Sequence, residues 1–166
     1  MATDLIAIAQ HGGSGRARVT RLAAPQGQSD RDSRDDLMLT GPIAVVDDDA
    51  SVRKSTKLLL ESFGFEVLVF DSADGFLGFD RPGAVSCLIV DVQMPGTSGL
   101  QLQHTLTEKG NKIPVVFITA YENAASREQA MQAGAVAFLS KPFSEGPLLD
   151  AIRLALRRRH DRGGTS

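Results

Sequence analysis

Short segments rich in Val, Ile and Leu alternate with segments of helical character, and this pattern constrains the fold most. Near-continuous apolar runs are typical of strands buried on both faces of a parallel sheet. Intervening segments of ten or more residues suit crossover helices. The sequence therefore predicts an α/β fold, a doubly wound sheet of five parallel strands. The predicted strands span residues 43–47, 66–70, 86–91, 113–119 and 136–140.

The second strand begins with an acidic residue, Glu66, so we expect it at an edge of the sheet. The predicted helices span residues 50–63, 72–79, 99–109 and 123–133, and a last one begins at 144 or 147 and ends near 159. Apolar side chains of the first helix should face the sheet, and these are Val52, Leu58, Leu59 and Phe63.

Length and composition indicate one domain with tails, because the chain has 166 residues and is 42% hydrophobic. Residues 1–41 lack helical or strand periodicity, and we predict a flexible amino-terminal extension. The folded domain should span residues 42–157, followed by a basic tail at 158–166. Residues 42–156 hold fourteen acidic and nine basic side chains, which argues against the clustered basic face of a nucleic-acid binder.

The single cysteine, Cys87, lies within an apolar run, which excludes an internal disulfide framework and fits a reducing compartment. No run reaches the roughly 18 apolar residues of a membrane span. The amino terminus also lacks the basic start of a secretory signal. We therefore expect a cytoplasmic protein without a membrane partner.

Polar residues that could bind or accept a phosphoryl group stand at the carboxyl ends of four of the predicted strands. Asp47 ends the first predicted strand, Asp48 follows it, and Asp91 ends the third. Carboxyl ends of parallel strands share one edge of the sheet, where ligands gather. Clustered carboxylates repel one another unless a cation lies among them, and carboxylate oxygens are ligands that Mg²⁺ prefers. A solvated acidic turn explains Asp47 and Asp48 alone equally well, whereas their convergence with Asp91 favours a metal site.

Asp91 is the candidate nucleophile, since a carboxylate can form an aspartyl-phosphate directly. Thr119 ends the fourth predicted strand and Lys141 directly follows the fifth. Taken singly, Thr119 suits an ordinary strand residue and Lys141 a surface lysine. Their common position at strand ends instead favours a hydroxyl and an ammonium that bind the phosphoryl oxygens.

These residues lie in motifs that resemble the receiver domains of response regulators in two-component signalling. The similarity covers residues 42–156 and includes pieces typical of the FixJ-like subgroup. The motifs are Val45-Val46-Asp47-Asp48-Asp49, Leu88-Ile89-Val90-Asp91-Val92-Gln93-Met94-Pro95-Gly96, Phe117-Ile118-Thr119-Ala120 and Phe138-Leu139-Ser140-Lys141-Pro142-Phe143, with the FixJ-like pieces Ser51-Val52-Arg53-Lys54-Ser55 and Ala130-Met131-Gln132-Ala133-Gly134-Ala135.

The resemblance implies a flavodoxin-like (βα)5 receiver fold and a role for each matching residue. Asp91 would accept a phosphoryl group from a phosphohistidine of a sensor histidine kinase or histidine phosphotransferase. Asp48 and Asp91 would bind Mg²⁺ directly and Asp47 mainly through water, while the backbone carbonyl of Gln93 would complete the protein ligands. Such a receiver is not a metabolic enzyme, although it promotes its own phosphorylation and dephosphorylation.

The resemblance also implies a conformational switch. Thr119 and Lys141 would each bind a phosphoryl oxygen, and Phe138 would be the aromatic switch residue that swings inward as Thr119 moves. A cis Lys141-Pro142 peptide bond is implied as well, against a base rate of about 5–6% for X-Pro bonds. Receivers of this family can also pair as homodimers through the fourth helix, fifth strand and fifth helix.

Only ten residues follow Leu156, too few for a helix-turn-helix domain. We therefore expect a stand-alone receiver without direct nucleic-acid binding, whose output passes to an unknown downstream protein. A phosphorelay intermediate or a phosphate sink is the alternative. A haloacid-dehalogenase-type phosphotransferase is disfavoured, because it needs a second carboxylate two residues after its nucleophile, where this chain has Gln93.

Overall fold

The computed structural model describes residues 41–163, so the predicted flexible extension lies, except for Gly41, outside the described residues. These residues form one parallel sheet in the order β2-β1-β3-β4-β5, with β2 at an edge as predicted. The flavodoxin-like fold is thus confirmed. The strands are β1 (Ile43–Val46), β2 (Val67–Phe70), β3 (Cys87–Asp91), β4 (Val115–Thr119) and β5 (Ala137–Ser140).

Five helices cover the two faces of the sheet, and a short 3-10 turn (Pro82–Ala84) precedes β3. Alternate residues of each central strand enter opposite core layers: Val46 and Val90 lie in one layer, and Val45 and Ile89 in the other. Burial on both faces explains why these strands read as continuous apolar runs. The helices are α1 (Ala50–Ser62), α2 (Ala73–Leu77), α3 (Gly99–Glu108), α4 (Ala124–Gln132) and α5 (Glu145–Gly163).

The predicted orientation of α1 is partly wrong. Leu58 is 57% exposed and Phe63 is 37% exposed, whereas Thr56 and Leu60 are buried. Positions four residues apart lie on one helix face, so Val52, Thr56 and Leu60 form the inward row. Leu58 lies about 200° away from Leu60 around the helix axis and therefore faces outward.

Helix α5 extends to Gly163, beyond its predicted end near residue 159. Basic side chains near its end, including Arg162, are favoured by the helix dipole. Arg159 is not merely solvated, because its guanidinium donates to the carbonyl oxygens of Val85 and, at 2.9 Å, Gly83. Part of the predicted basic tail is therefore helical and attached to the domain.

None of the helices within residues 41–163 combines the length and apolar character needed to cross a membrane.

Candidate functional site

Three carboxylates meet at the carboxyl edge of the sheet. Strands β1 and β3 are neighbours, so Asp47, which follows β1, lies beside Asp91 at the end of β3. One carboxylate oxygen each from Asp47, Asp48 and Asp91 lies within 4.8 Å of the others. Asp47 and Asp91 are buried, whereas Asp48 is exposed. The structure thus brings together the three aspartates that the sequence singled out.

Lys141 bridges two of these carboxylates. Its Nζ atom lies 2.8 Å from Oδ2 of Asp47 and 2.8 Å from Oδ2 of Asp91. Burial raises the pKa of Asp47, and the hydrogen bond from Lys141 offsets only part of this effect. Burial alone would lower the pKa of Lys141, but the hydrogen bonds and charges of Asp47 and Asp91 raise it. The predicted cis Lys141-Pro142 bond, which follows this lysine, is confirmed.

Backbone groups and one arginine fix the remaining polar atoms around these carboxylates. Oδ1 of Asp47 accepts a hydrogen bond from the amide of Asp49 at 2.9 Å, and Oδ1 of Asp91 accepts one from the amide of Gln93 at 3.0 Å. Arg53 of α1 donates to the carbonyl oxygen of Asp47 at 2.6 Å. Asp49 itself caps α1 by accepting from the amide of Ser51 at 2.8 Å.

The hydroxyl of Thr119 is held by the backbone of Tyr121. It donates to the carbonyl oxygen of Tyr121 at 3.0 Å and accepts from the amide of Tyr121 at 3.2 Å. Thr119 is fully buried at the end of β4, whereas the Tyr121 side chain is 72% exposed. Thr119 would have to release the hydrogen bond that it donates to Tyr121 before its hydroxyl could donate to another group.

Phe138 is buried and packs against Phe117, with 6.1 Å between ring centroids. The Arg127 guanidinium lies 5.9 Å from the centroid of the Phe138 ring. Arg127 also pairs with Glu122 at 3.1 Å, and the Ser140 hydroxyl donates to Glu122 at 3.1 Å. We call Glu122, Arg127 and Ser140 the Glu122 bracket. It joins the β4–α4 loop, α4 and β5 around Phe138.

Two contributors to this site were missed in the sequence, Arg53 and Gly99. A Cβ atom added at residue 99 would lie 2.3 Å from the carbonyl oxygen of Asp91, far inside van der Waals contact. The amide of Gly99 also donates to Val92 at 3.0 Å. A glycine directly after the Ser98 helix cap was a usable clue, because Gly is unfavourable in helices. Arg53 lies in one of the FixJ-like pieces, but that piece assigned it no role in the site.

The donor set suits Mg²⁺. Asp47, Asp48 and Asp91 offer hard oxygen ligands, the exposed position of Asp48 leaves room for water, and Mg²⁺ typically keeps several waters beside one or two carboxylates. The backbone carbonyl of Gln93 belongs to the loop directly after Asp91 and can supply a further oxygen.

Comparisons with known proteins agree with this geometry. Residues 43–153 match the family model described as response regulator receiver domain. The chain is 46% identical over 114 residues to the transcriptional regulatory protein TdiR of Thauera aromatica, covering 69% of this chain and 50% of TdiR. It is 38% identical over 122 residues to the transcriptional regulatory protein FixJ of Azorhizobium caulinodans, covering 74% of this chain and 58% of FixJ.

The crystal structure of FixJ-N is similar as well, with a TM-score of 0.66 and 36% identity over 70% of this chain and 94% of FixJ-N. The chain spans only about half the length of the curated relatives it matches. The family match covers more than half of the chain and includes Asp47, Asp48, Asp91, Thr119 and Lys141. The chain therefore belongs to the response-regulator receiver family and is of the FixJ-like type.

Proposed function

We propose that Asp91 accepts a phosphoryl group from a phosphohistidine on a sensor histidine kinase or histidine phosphotransferase. The observation that carries this proposal is the convergence of three carboxylates within 4.8 Å, with the Lys141 ammonium 2.8 Å from two of them. Asp47, Asp48, Asp91 and the carbonyl of Gln93 would hold Mg²⁺. When bound, this ion neutralises charge on the transferring phosphoryl group.

In the proposed transfer, a carboxylate oxygen of Asp91 attacks phosphorus and an acyl-phosphate bond forms. The phosphorus–nitrogen bond to the donor imidazole breaks, and its electron pair stays on that ring. Gln93 and Lys141 hold the two oxygens of Asp91 in place. Attack by water later regenerates the carboxylate and releases phosphate, and the receiver would promote both steps.

Phosphorylation would redistribute the partners of Lys141 and Thr119. A phosphoryl group adds about two negative charges and strong acceptor oxygens. Lys141 would pair with one of these oxygens instead of with Oδ2 of Asp91. Thr119 would leave the backbone of Tyr121 and donate to another phosphoryl oxygen. These contacts differ between the two states, so phosphorylation shifts the population toward the state that makes them.

The output we propose is a change in protein–protein contacts around α4 and β5. Phe138 would transmit it, because it packs between β4 and α4 beside the Glu122 bracket. Docking to a downstream protein and homodimerisation through α4, β5 and α5 both fit such a surface. The transcriptional roles in the names of TdiR and FixJ belong to those proteins. That the receiver acts in the cytoplasm and does not contact nucleic acid stays a prediction.

The decisive experiment incubates the protein with acetyl phosphate and Mg²⁺ and records its intact mass. We expect the wild-type chain to gain one phosphoryl group, and Asp91→Asn to gain none because an amide is not a nucleophile for this reaction. Asp80→Asn is the matched control, since Asp80 is exposed and lies outside the carboxylate cluster. Equal labelling of Asp91→Asn and wild type would refute the proposal.

A further inference from the structure

Arg53 is bound to the backbone of the metal site rather than to a carboxylate. It lies in the second turn of α1 and is half-buried. Its Nη1 donates to the carbonyl oxygen of Asp47 at 2.6 Å. A hydrogen bond from a charged donor is short and roughly twice as strong as a neutral one. This bond therefore restrains the backbone directly after β1.

The restrained carbonyl belongs to the peptide unit that joins Asp47 to Asp48. A peptide unit is planar, so fixing its oxygen also fixes the direction in which the chain enters Asp48. Lys141 holds the carboxylates of Asp47 and Asp91 directly. Asp48 is exposed, and the direction of its side chain depends on its backbone.

We propose that Arg53 is a positioning residue for Mg²⁺ binding, which acts by holding the Asp47–Asp48 peptide so that the Asp48 carboxylate faces Asp91. This role rests on the proposed function of the site. Simple electrostatics predicts the opposite sign, because a guanidinium beside a cation site repels the incoming ion. Removal of Arg53 should therefore lower the Mg²⁺ affinity if Arg53 positions Asp48, and raise it if the charge of Arg53 dominates.

The test measures Mg²⁺ affinity by titration calorimetry for wild type, Arg53→Met and Lys54→Met. Methionine keeps an apolar stem of similar length but has neither charge nor donor. Lys54 is the matched control, because it is the next residue of α1 and is exposed. We expect affinity to fall about ten-fold in Arg53→Met, as is typical when a group that orients a metal ligand is lost. Lys54→Met should bind Mg²⁺ as tightly as wild type or slightly more tightly.

A folded Arg53→Met chain that binds Mg²⁺ as tightly as Lys54→Met would overturn the inference. If Arg53→Met is unstable, the rise in melting temperature caused by Mg²⁺ replaces calorimetry, since that rise reports binding to the folded chain. A smaller rise than in Lys54→Met supports positioning, and an equal or larger rise overturns it. A wild-type chain that binds no Mg²⁺ would refute the proposed metal site as well. If wild type binds Mg²⁺ and Arg53→Met binds it equally well, the metal site stands and only the positioning role of Arg53 is refuted.

Discussion

At the level of single residues, Lys141 connects three strand ends. It follows β5, yet its ammonium contacts Asp47 after β1 and Asp91 at the end of β3. Removing one partner of a buried ion pair leaves the other charge uncompensated. Lys141 therefore offsets the repulsion between these two carboxylates, and in the proposed function the same ammonium would bind a phosphoryl oxygen.

We expect Lys141→Ala to accept phosphoryl groups from acetyl phosphate but to lose the conformational response. The nucleophile and the other carboxylates remain, whereas the ammonium that changes partners is gone. Amide hydrogen exchange of α4 and β5, measured before and after labelling, checks this expectation. Wild type should change on labelling and Lys141→Ala should change much less. An equal response in both proteins would count against the role of Lys141 in the switch.

Gly99 is required by the close approach of α3 to Asp91. We expect Gly99→Ala to lower the rate of labelling by acetyl phosphate about ten-fold or more, because the new Cβ displaces the Asp91 backbone and small misplacements of reacting groups are costly. Gly110→Ala is the control, since Gly110 has φ +70° but nothing within 4 Å of an added Cβ. It should lose about 1 kcal/mol or more of folding stability without slower labelling. Normal labelling of Gly99→Ala would contradict this prediction.

The sequence located the carboxylates, Thr119 and Lys141, but not the backbone contacts that surround them. Asp47, Asp48 and Asp91 could be placed together because the carboxyl ends of parallel strands share an edge. The bond from Arg53 to the Asp47 carbonyl and the hold of Tyr121 on Thr119 depend on side-chain rotamers and loop path. Neither hydrogen bond leaves a periodic pattern in the sequence, so neither could be predicted from it.

At the level of elements, α4 has little apolar attachment to the domain. Of its nine residues only Ala130 is buried. Its other attachments are polar: the buried Gln103 donates to the carbonyl of Ala130 at 3.4 Å, and Arg127 takes part in the Glu122 bracket. Segments with few buried apolar contacts open at low free-energy cost. Helix α4 is therefore suited to the repositioning that the proposed switch requires.

We expect Glu122→Ala to speed labelling by acetyl phosphate, by up to about five-fold. Exposed ion pairs contribute at most about 1 kcal/mol, and this pair is roughly half exposed at both partners, at 53% and 55%. Loss of the bracket frees the β4–α4 loop, which lowers the cost of moving Thr119. Labelling rate and hydrogen exchange of α4 are the measurements.

Glu128→Ala is the control for this prediction. Glu128 lies on α4, and within residues 41–163 its carboxylate accepts a hydrogen bond only from Gln132 of the same helix. Its labelling rate should match that of wild type. If Glu122→Ala labels no faster than Glu128→Ala, the Glu122 bracket does not restrain the switch.

Element boundaries show where sequence periodicity is sufficient and where it is not. The strands were predicted to within two residues at each end, since burial on both faces gives continuous apolar runs. The inward face of α1 was assigned only in part: Val52 and Leu59 pack against the core as predicted. Thr56, however, is buried there while the larger Leu58 is exposed. Tertiary packing decides which residue of α1 is buried, and the hydrophobicity of the side chains alone does not predict that Thr56 is buried rather than Leu58.

At the level of the whole molecule, a sheet covered on both faces is a rigid support for the residues at its carboxyl edge. Buried side chains alternate between two core layers along β1, β3 and β4. Many unrelated functions occur on such folds, so the fold alone does not specify signalling. The specific information lies in five strand-end residues, Asp47, Asp48, Asp91, Thr119 and Lys141.

Contacts at the opposite edge of the sheet hold both ends of the described chain together. The carbonyl of Gly41 accepts from the Ser86 hydroxyl at 2.9 Å, and Arg159 donates to Gly83 and Val85 just before it. A dye, affinity handle or surface tether joined after Gly163 would thus follow a helix that is anchored at the amino-terminal edge of the sheet, whereas Asp91 lies at the carboxyl edge. Immobilised protein should keep its acidic pocket open to solution, which makes single-molecule and biosensor recordings of phosphoryl exchange practicable.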